Sequence, residues 1–229
     1  MKQRRTLALL TAACLAAFTF ISCSKSDKKD DEPGTPKEEA GKIPGLGTAA
    51  GTPQGTALTL PAGITFSGDP IKGAVCDTSY EVGSGGLVEV CVAFVNNNTQ
   101  DVTLTLPAGL IVISDNAEYQ HGFLIQTSTV LLKAKKKTRV GVNFYCVNSS
   151  RLPSSGSVTY KIGPVSSSTL LGELCNLLKN KRTARSEYTD FDQYFMTANS
   201  IQTLIWSITD GDGLERTTLA ETLGRIPNR

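Results

Sequence analysis

Val140-Gly-Val-Asn-Phe-Tyr-Cys-Val-Asn-Ser-Ser-Arg-Leu-Pro153 is the stretch on which the chain turns. Val140, Val142, Phe144 and Cys146 alternate and so share one face of a strand, which Asn148, Ser149, Ser150 and Pro153 then break. Before this stretch the chain reads as strand and turn; after it, helical spacing soon takes over.

Working back from it, strands are expected at Gly73 to Val82, Leu87 to Val95, Val102 to Leu106, Leu110 to Ser114, Gly122 to Leu132 and Thr138 to Cys146, with Val158 to Ile162 following. Gly83-Ser-Gly-Gly86 and Asn96-Asn-Asn-Thr99 separate them as turns. The segments Leu58-Thr-Leu-Pro-Ala-Gly-Ile64 and Leu104-Thr-Leu-Pro-Ala-Gly-Leu110 repeat one another. In each, an alternating strand is expected to run into a turn where proline ends the ladder and glycine supplies the bend. The spacing predicts a mainly β fold, an antiparallel immunoglobulin-like β-sandwich over residues 56–165. The Asn-rich turn followed by VTLTLPAG is similar to immunoglobulin-like bacterial surface domains, a resemblance of architecture. Lys133, Lys135, Lys136, Lys137 and Arg139 lie between two apolar strands and read as a solvated hairpin turn.

Beyond the opening stretch, a cap of about three helices over residues 166–229 is expected to pack on the sandwich. Leu170 to Arg182 follows a Ser/Thr cap, Ser186 to Thr209 carries Ile201, Leu204, Ile205 and Ile208 at i, i+3, i+4 and i+7, and Leu214 to Leu223 ends at Gly224 and Pro227. Asp210-Gly-Asp-Gly213 offers alternate carboxylates, but Leu214 and Glu215 stand where a calcium loop needs an oxygen ligand and a glycine, so it reads as a helix stop.

At the amino terminus Lys2, Arg4 and Arg5 precede an apolar run from Leu7 to Ile21 that ends at Ser22-Cys23, a secretion signal covering residues 1–22. The small residue before cysteine resembles the lipobox of bacterial lipoproteins, and the resemblance implies acylation of Cys23. Phe20 departs from the usual leucine, and cleavage before the rival Cys14 would leave Leu15 to Ile21 bare. Residues 23–55, rich in charge, Pro, Gly and Thr, read as a disordered tether. Asp27, Asp30, Asp31 and Glu32 resemble the acidic signal that sends some lipoproteins to the outer face of the outer membrane. Loss of the signal leaves 20 basic against 21 acidic residues, which speaks against a nucleic-acid partner.

Four cysteines then remain in the folded part: Cys76, Cys91, Cys146 and Cys175. In an oxidising compartment they suggest two disulfides, Cys76 with Cys91 and Cys146 with Cys175. A second reading uses Cys146 differently. Tyr145-Cys146 with Asn148, Pro153 and Tyr160, and Ile201-Gln202-Thr-Leu-Ile-Trp206 with Thr209-Asp-Gly211, resemble the paired motifs of bacterial thioester-domain adhesins. That resemblance implies an internal Cys146-Gln202 thioester that captures amines. The 56 residues between the two are fewer than the family's longer helical insertions suggest. The single histidine, His121, lies in NAEYQHGF and reads as a polar loop residue; no nucleophile motif, metal-ligand spacing or phosphate loop accompanies it. The chain as a whole is therefore expected to be a non-catalytic, lipid-anchored surface protein of the outer membrane that binds or adheres to an extracellular protein or glycan. It is not expected to need a cofactor or a metal, and its alternative role is thioester capture.

Overall fold

The computed structural model describes residues 38–74, 76 and 80–229. The signal, Cys23 and the acidic cluster lie outside the described residues. In chain order the strands are β1 (Gly55–Ala57), β2 (Ile64–Phe66), β3 (Ile71–Lys72), β4 (Glu81–Gly83), β5 (Val88–Asn96), β6 (Val102–Leu106), β7 (Leu110–Ser114), β8 (Gly122–Phe123), β9 (Ser128–Leu132), β10 (Lys137–Cys146) and β11 (Thr159–Ser166). The helices α1 (Thr169–Leu178), α2 (Phe191–Thr209) and α3 (Arg216–Arg225) follow. The chain is mainly β with three C-terminal helices, and among the described residues all but one of the strand pairs are antiparallel.

β5 and β10 run antiparallel from Lys137 opposite Val95 to Phe144 opposite Val88. Val88, Val90, Val92 and Phe94 meet Val140, Val142, Phe144 and Cys146 in one buried core, as a period of two requires. The ladder then closes on itself. β5 also pairs with β3, β3 with β11, β11 with β7, β7 with β8, and β8 with the end of β10, giving a barrel-like ring of six strands. β6 and β9 pair with each other and send Leu104, Leu106, Val130 and Leu132 into the same core.

The two copies of the repeat keep the turn and differ in the strand. Ile64 N–H donates to Pro61 (3.0 Å) and Leu110 N–H to Pro107 (3.2 Å), with Gly63 and Gly109 at φ of 75° and 88°, where glycine alone is unstrained. The second copy forms β6 because β9 is there to pair with it. Residues 58–60 form no strand, and Leu58 and Leu60 only pack against the core. Similarly, the expected strand at 122–132 divides into β8 and β9, and among the described residues of the one expected at 73–82 only 81 and 82 belong to a strand, β4.

A second core lies on the other face of the ring. There Ile111, Phe123, Ile125, Tyr145 and Val147 meet Leu171, Leu174 and Leu178 of α1 and Ile201, Leu204, Ile205 and Ile208 of α2. α1 starts where the Ser168 side chain accepts from Leu171 N–H (3.1 Å), and α2 where Asp190 accepts from Asp192 N–H (2.9 Å). Asp210 closes α2, so the Asp-Gly-Asp-Gly run is the stop its spacing predicts.

Residues 38–55 correct the expected tether. Ile43 and Leu46 are buried in the helical core, Gly41 N–H donates to Ile208, and Gly47 N–H to Val147 (2.7 Å). One Glu38 oxygen accepts from the Ser168 Oγ–H, the Thr169 Oγ1–H and the Leu170 N–H at the start of α1. The Gly/Pro/Thr composition that suggests disorder here serves a strap whose glycines take positive φ. Among the described residues no helix is long and apolar enough to cross a membrane.

Candidate functional site

Cys146 ends β10 at the point where the strand leaves β5 and pairs with β8, opposite Gly122. Its parity turns the sulfur inward with Phe144, while Tyr145 and Val147 face the helices. The chain breaks immediately afterwards, so the last groups of the strand look for partners outside the sheet. Gln202 supplies them from the buried face of α2. Its Oε1 accepts from Cys146 N–H (2.9 Å), and its Nε2 donates to Cys146 C=O (2.8 Å). The side-chain amide thus pairs with the peptide of Cys146 as another strand would.

The Cys146 sulfur accepts from Asn148 N–H (3.2 Å) and from Trp206 Nε1–H (3.4 Å), one helical turn beyond Gln202. Burial pushes its pKa up to about 11, and these two donors hold it below a higher value. The thiol is therefore neutral at ordinary pH. Asn148 is itself fixed, donating to Gly47 C=O (2.8 Å) and accepting from His121 N–H (3.1 Å). Asp210 ties the following loop to the end of α2 by accepting from Ser149 N–H and Oγ–H (3.0 and 2.9 Å).

Cys76 and Cys91 form the expected disulfide. Cys146 and Cys175 do not; both are free thiols. The expected pairing needs Cys175 of α1 beside the Cys146 sulfur, but Cys175 packs with the helical core, whereas the Cys146 sulfur points into the strand core on the other side of the wall. His121 is in a loop but buried rather than solvated. Its Nδ1 accepts from Ser114 N–H (3.1 Å) and its Nε2 lies 3.1 Å from the Arg151 guanidinium. Desolvation, then the Arg151 charge, lower its pKa to about 4. Among the described residues no group of three His, Cys, Asp or Glu side chains is placed to hold a metal.

The structure thus brings together Cys146, Gln202, Trp206 and Asn148 of the two quoted motifs, and leaves Cys175 apart. It also shows what the motifs do not contain: the Gly47 strap behind Asn148, and the aromatic start of α2, where Phe191, Phe195 and Met196 are 57%, 54% and 63% exposed. At 100° per residue those three stand roughly 90° to 150° round the helix from the stripe of Ile201, Leu204, Ile205 and Ile208, a phase the sequence itself carries. No family model, curated protein or solved structure matches the chain.

Proposed function

We propose that the chain is a surface adhesin that captures amines covalently through an internal thioester between Cys146 and Gln202. The observation that carries this is the double hydrogen bond of the Gln202 carboxamide to the peptide of Cys146, beside a sulfur held by two N–H donors. The immunoglobulin-like sandwich expected from the strand spacing is, in this proposal, the strand ring with β6 and β9 packed over its core.

The chemistry is an acyl transfer. The Cys146 sulfur attacks Cδ of Gln202, a C–S bond forms, the thiol proton passes to the departing nitrogen, and ammonia leaves. The Cys146 N–H already donates to the oxygen that becomes the oxyanion, so no reorganisation is needed there. A neutral, desolvated thiol is a weak nucleophile, and closure relies on the enforced proximity of the two groups. Burial then slows hydrolysis until an amine attacks the same carbon, forms an amide and releases the thiol. It is a single turnover, in which the glutamine is consumed.

Intact mass of the non-reduced chain tests it. The expected mass lacks two hydrogens for Cys76–Cys91 and one ammonia for the thioester, and methylamine adds back its full mass. A chain that lacks only the two hydrogens and ignores methylamine overturns the proposal. Lipid anchoring at Cys23 on the outer membrane belongs to the same proposal, and loss of palmitate labelling in Cys23→Ser is its check.

The exposed aromatic side chains of α2 favour a second reading, reversible adhesion to a protein or glycan. Loss of surface binding in Phe191→Ser/Phe195→Ser with the methylamine adduct intact is the result that selects it.

A further inference from the structure

A cavity of about 350 Å³ opens between the α2 start and the β4, β5 and β10 strands. Its lining differs sharply from one side to the other. On the strand side stand two carboxylates, Glu81 and Glu89, and Asn143 between them, opposite Glu89 in the ladder, donates to Glu81 (2.7 Å). No basic side chain forms an ion pair with either carboxylate among the described residues. On the helix side stand Phe191, Tyr194 and Phe195, with Phe191 and Phe195 stacked at 6.2 Å. Tyr145 also lines the cavity. It is fully buried, and its hydroxyl makes no hydrogen bond of ordinary geometry. Gln202 completes the lining.

We infer that this cavity is a recognition site for a primary ammonium group on an apolar stem, the shape of a lysine side chain. An ammonium offers three donors and no acceptor, and the cavity offers acceptors in the carboxylate oxygens of Glu81 and Glu89. The methylene stem lies against the rings. That wall already receives a cation, because the Arg185 guanidinium sits 5.5 Å from the centre of Phe191 and 5.9 Å from that of Tyr194 while donating to Tyr188 C=O. With Arg185 counted, the two carboxylates leave the site negative. Glu89 carries a strain that a cation relieves: burial, then the Glu81 charge, raise its pKa. A carboxylate or hydroxyl ligand would instead meet like charge or leave the acceptors unpaired.

The use made of a bound amine rests on the thioester reading, since Gln202 is part of the lining of the same cavity; the binding itself needs no thioester. The test is a titration of the full chain carrying Cys146→Ser, which cannot close a thioester, with n-pentylammonium and with 1-pentanol, followed by chemical shifts. Pentylammonium is expected to saturate the shifts of Phe195 and Tyr145 and to bind at least about tenfold tighter than pentanol. Glu89→Gln is expected to weaken it about tenfold, and Phe195→Ser, a change at an exposed position that leaves the core intact, by several fold. Equal binding of pentanol, or pentylammonium binding unchanged in both Glu89→Gln and Phe195→Ser, overturns the inference. Saturable binding here with no methylamine adduct in the unsubstituted chain keeps the recognition site and removes the thioester; an adduct there with no saturable binding here does the reverse.

Discussion

Cys91 and Cys146 lie on neighbouring strands of one ladder and have opposite fates. Cys91 stands opposite Gly141, five residues before Cys146, and its odd position turns it away from the core shared by Val90 and Val92. Facing outward, it meets Cys76, and the two bond. Cys146 faces inward at the end of β10, where it meets N–H donors and a glutamine instead of a second sulfur. The difference teaches that strand parity, not cysteine count, decides which thiol becomes a staple and which is held in reserve.

The sharpest way to break this contrast is to exchange the fates. Cys146→Ser is expected to abolish the methylamine adduct completely, and Gln202→Asn to do the same by withdrawing the carboxamide one methylene from the sulfur. Cys76→Ser should leave the adduct at its full stoichiometry. Intact mass after methylamine reads all three, and an adduct that disappears in Cys76→Ser would show that the two thiols are not independent.

Next in size is a change behind the Cys146 end. Gly47 has φ of 58°, and a Cβ there would lie 1.9 Å from the Thr209 carbonyl oxygen. Gly47→Ala therefore combines left-handed strain with a backbone clash, and should cost roughly 4 kcal/mol in urea unfolding. Because Gly47 C=O fixes Asn148, whose N–H holds the sulfur, any thioester formed should also hydrolyse faster. Unchanged stability would mean that the strap is not part of the folding unit.

Cys76→Ser should cost somewhat less, about 3 kcal/mol, because Cys76 and Cys91 are only 15 residues apart and the chain-entropy value grows slowly with loop length. Denaturant midpoints with and without reductant check it: the unsubstituted chain should fall to the variant's midpoint when reduced, and the variant should not move.

These contrasts were unequally visible in the amino-acid pattern. β6 and β7 match their expected spans to the residue and β5 and β10 to within one, since alternating apolar residues between turn signals report burial directly. β1 and β3 have no local pattern to announce them, being two or three residues long and held by neighbours distant in sequence. Ring closure is likewise a property of tertiary pairing that no local pattern carries. Cys146 and Gln202 were legible because two short motifs flag them. Cys175 misled because an even count says nothing about which side of a wall a helix lies on. Glu81 and Glu89 carry no local mark of the cavity, which exists only where four elements meet, whereas the phase of Phe191 and Phe195 on α2 already sets them off the buried stripe.

The smallest expected effect acts through His121, which belongs to the Cys146 end alone: its N–H donates to Asn148 and its C=O accepts from Val147 N–H. In the fold its pKa lies near 4, whereas an unfolded histidine titrates near 6.5. The unfolded chain therefore binds a proton that the folded one refuses, and stability is complete above the upper value and falls as the pH drops through the window between them. Between pH 7 and pH 5 the loss is about 1 to 2 kcal/mol from this one group, carboxylates aside. Urea midpoints at the two pH values, compared with those of His121→Asn, isolate it: the variant should lose that part of the slope. A thioester at the Cys146 end should become more labile over the same window while the Cys76–Cys91 end stays as it is. Equal slopes in both chains would place the acid sensitivity elsewhere and dissolve the contrast between the two ends in that respect.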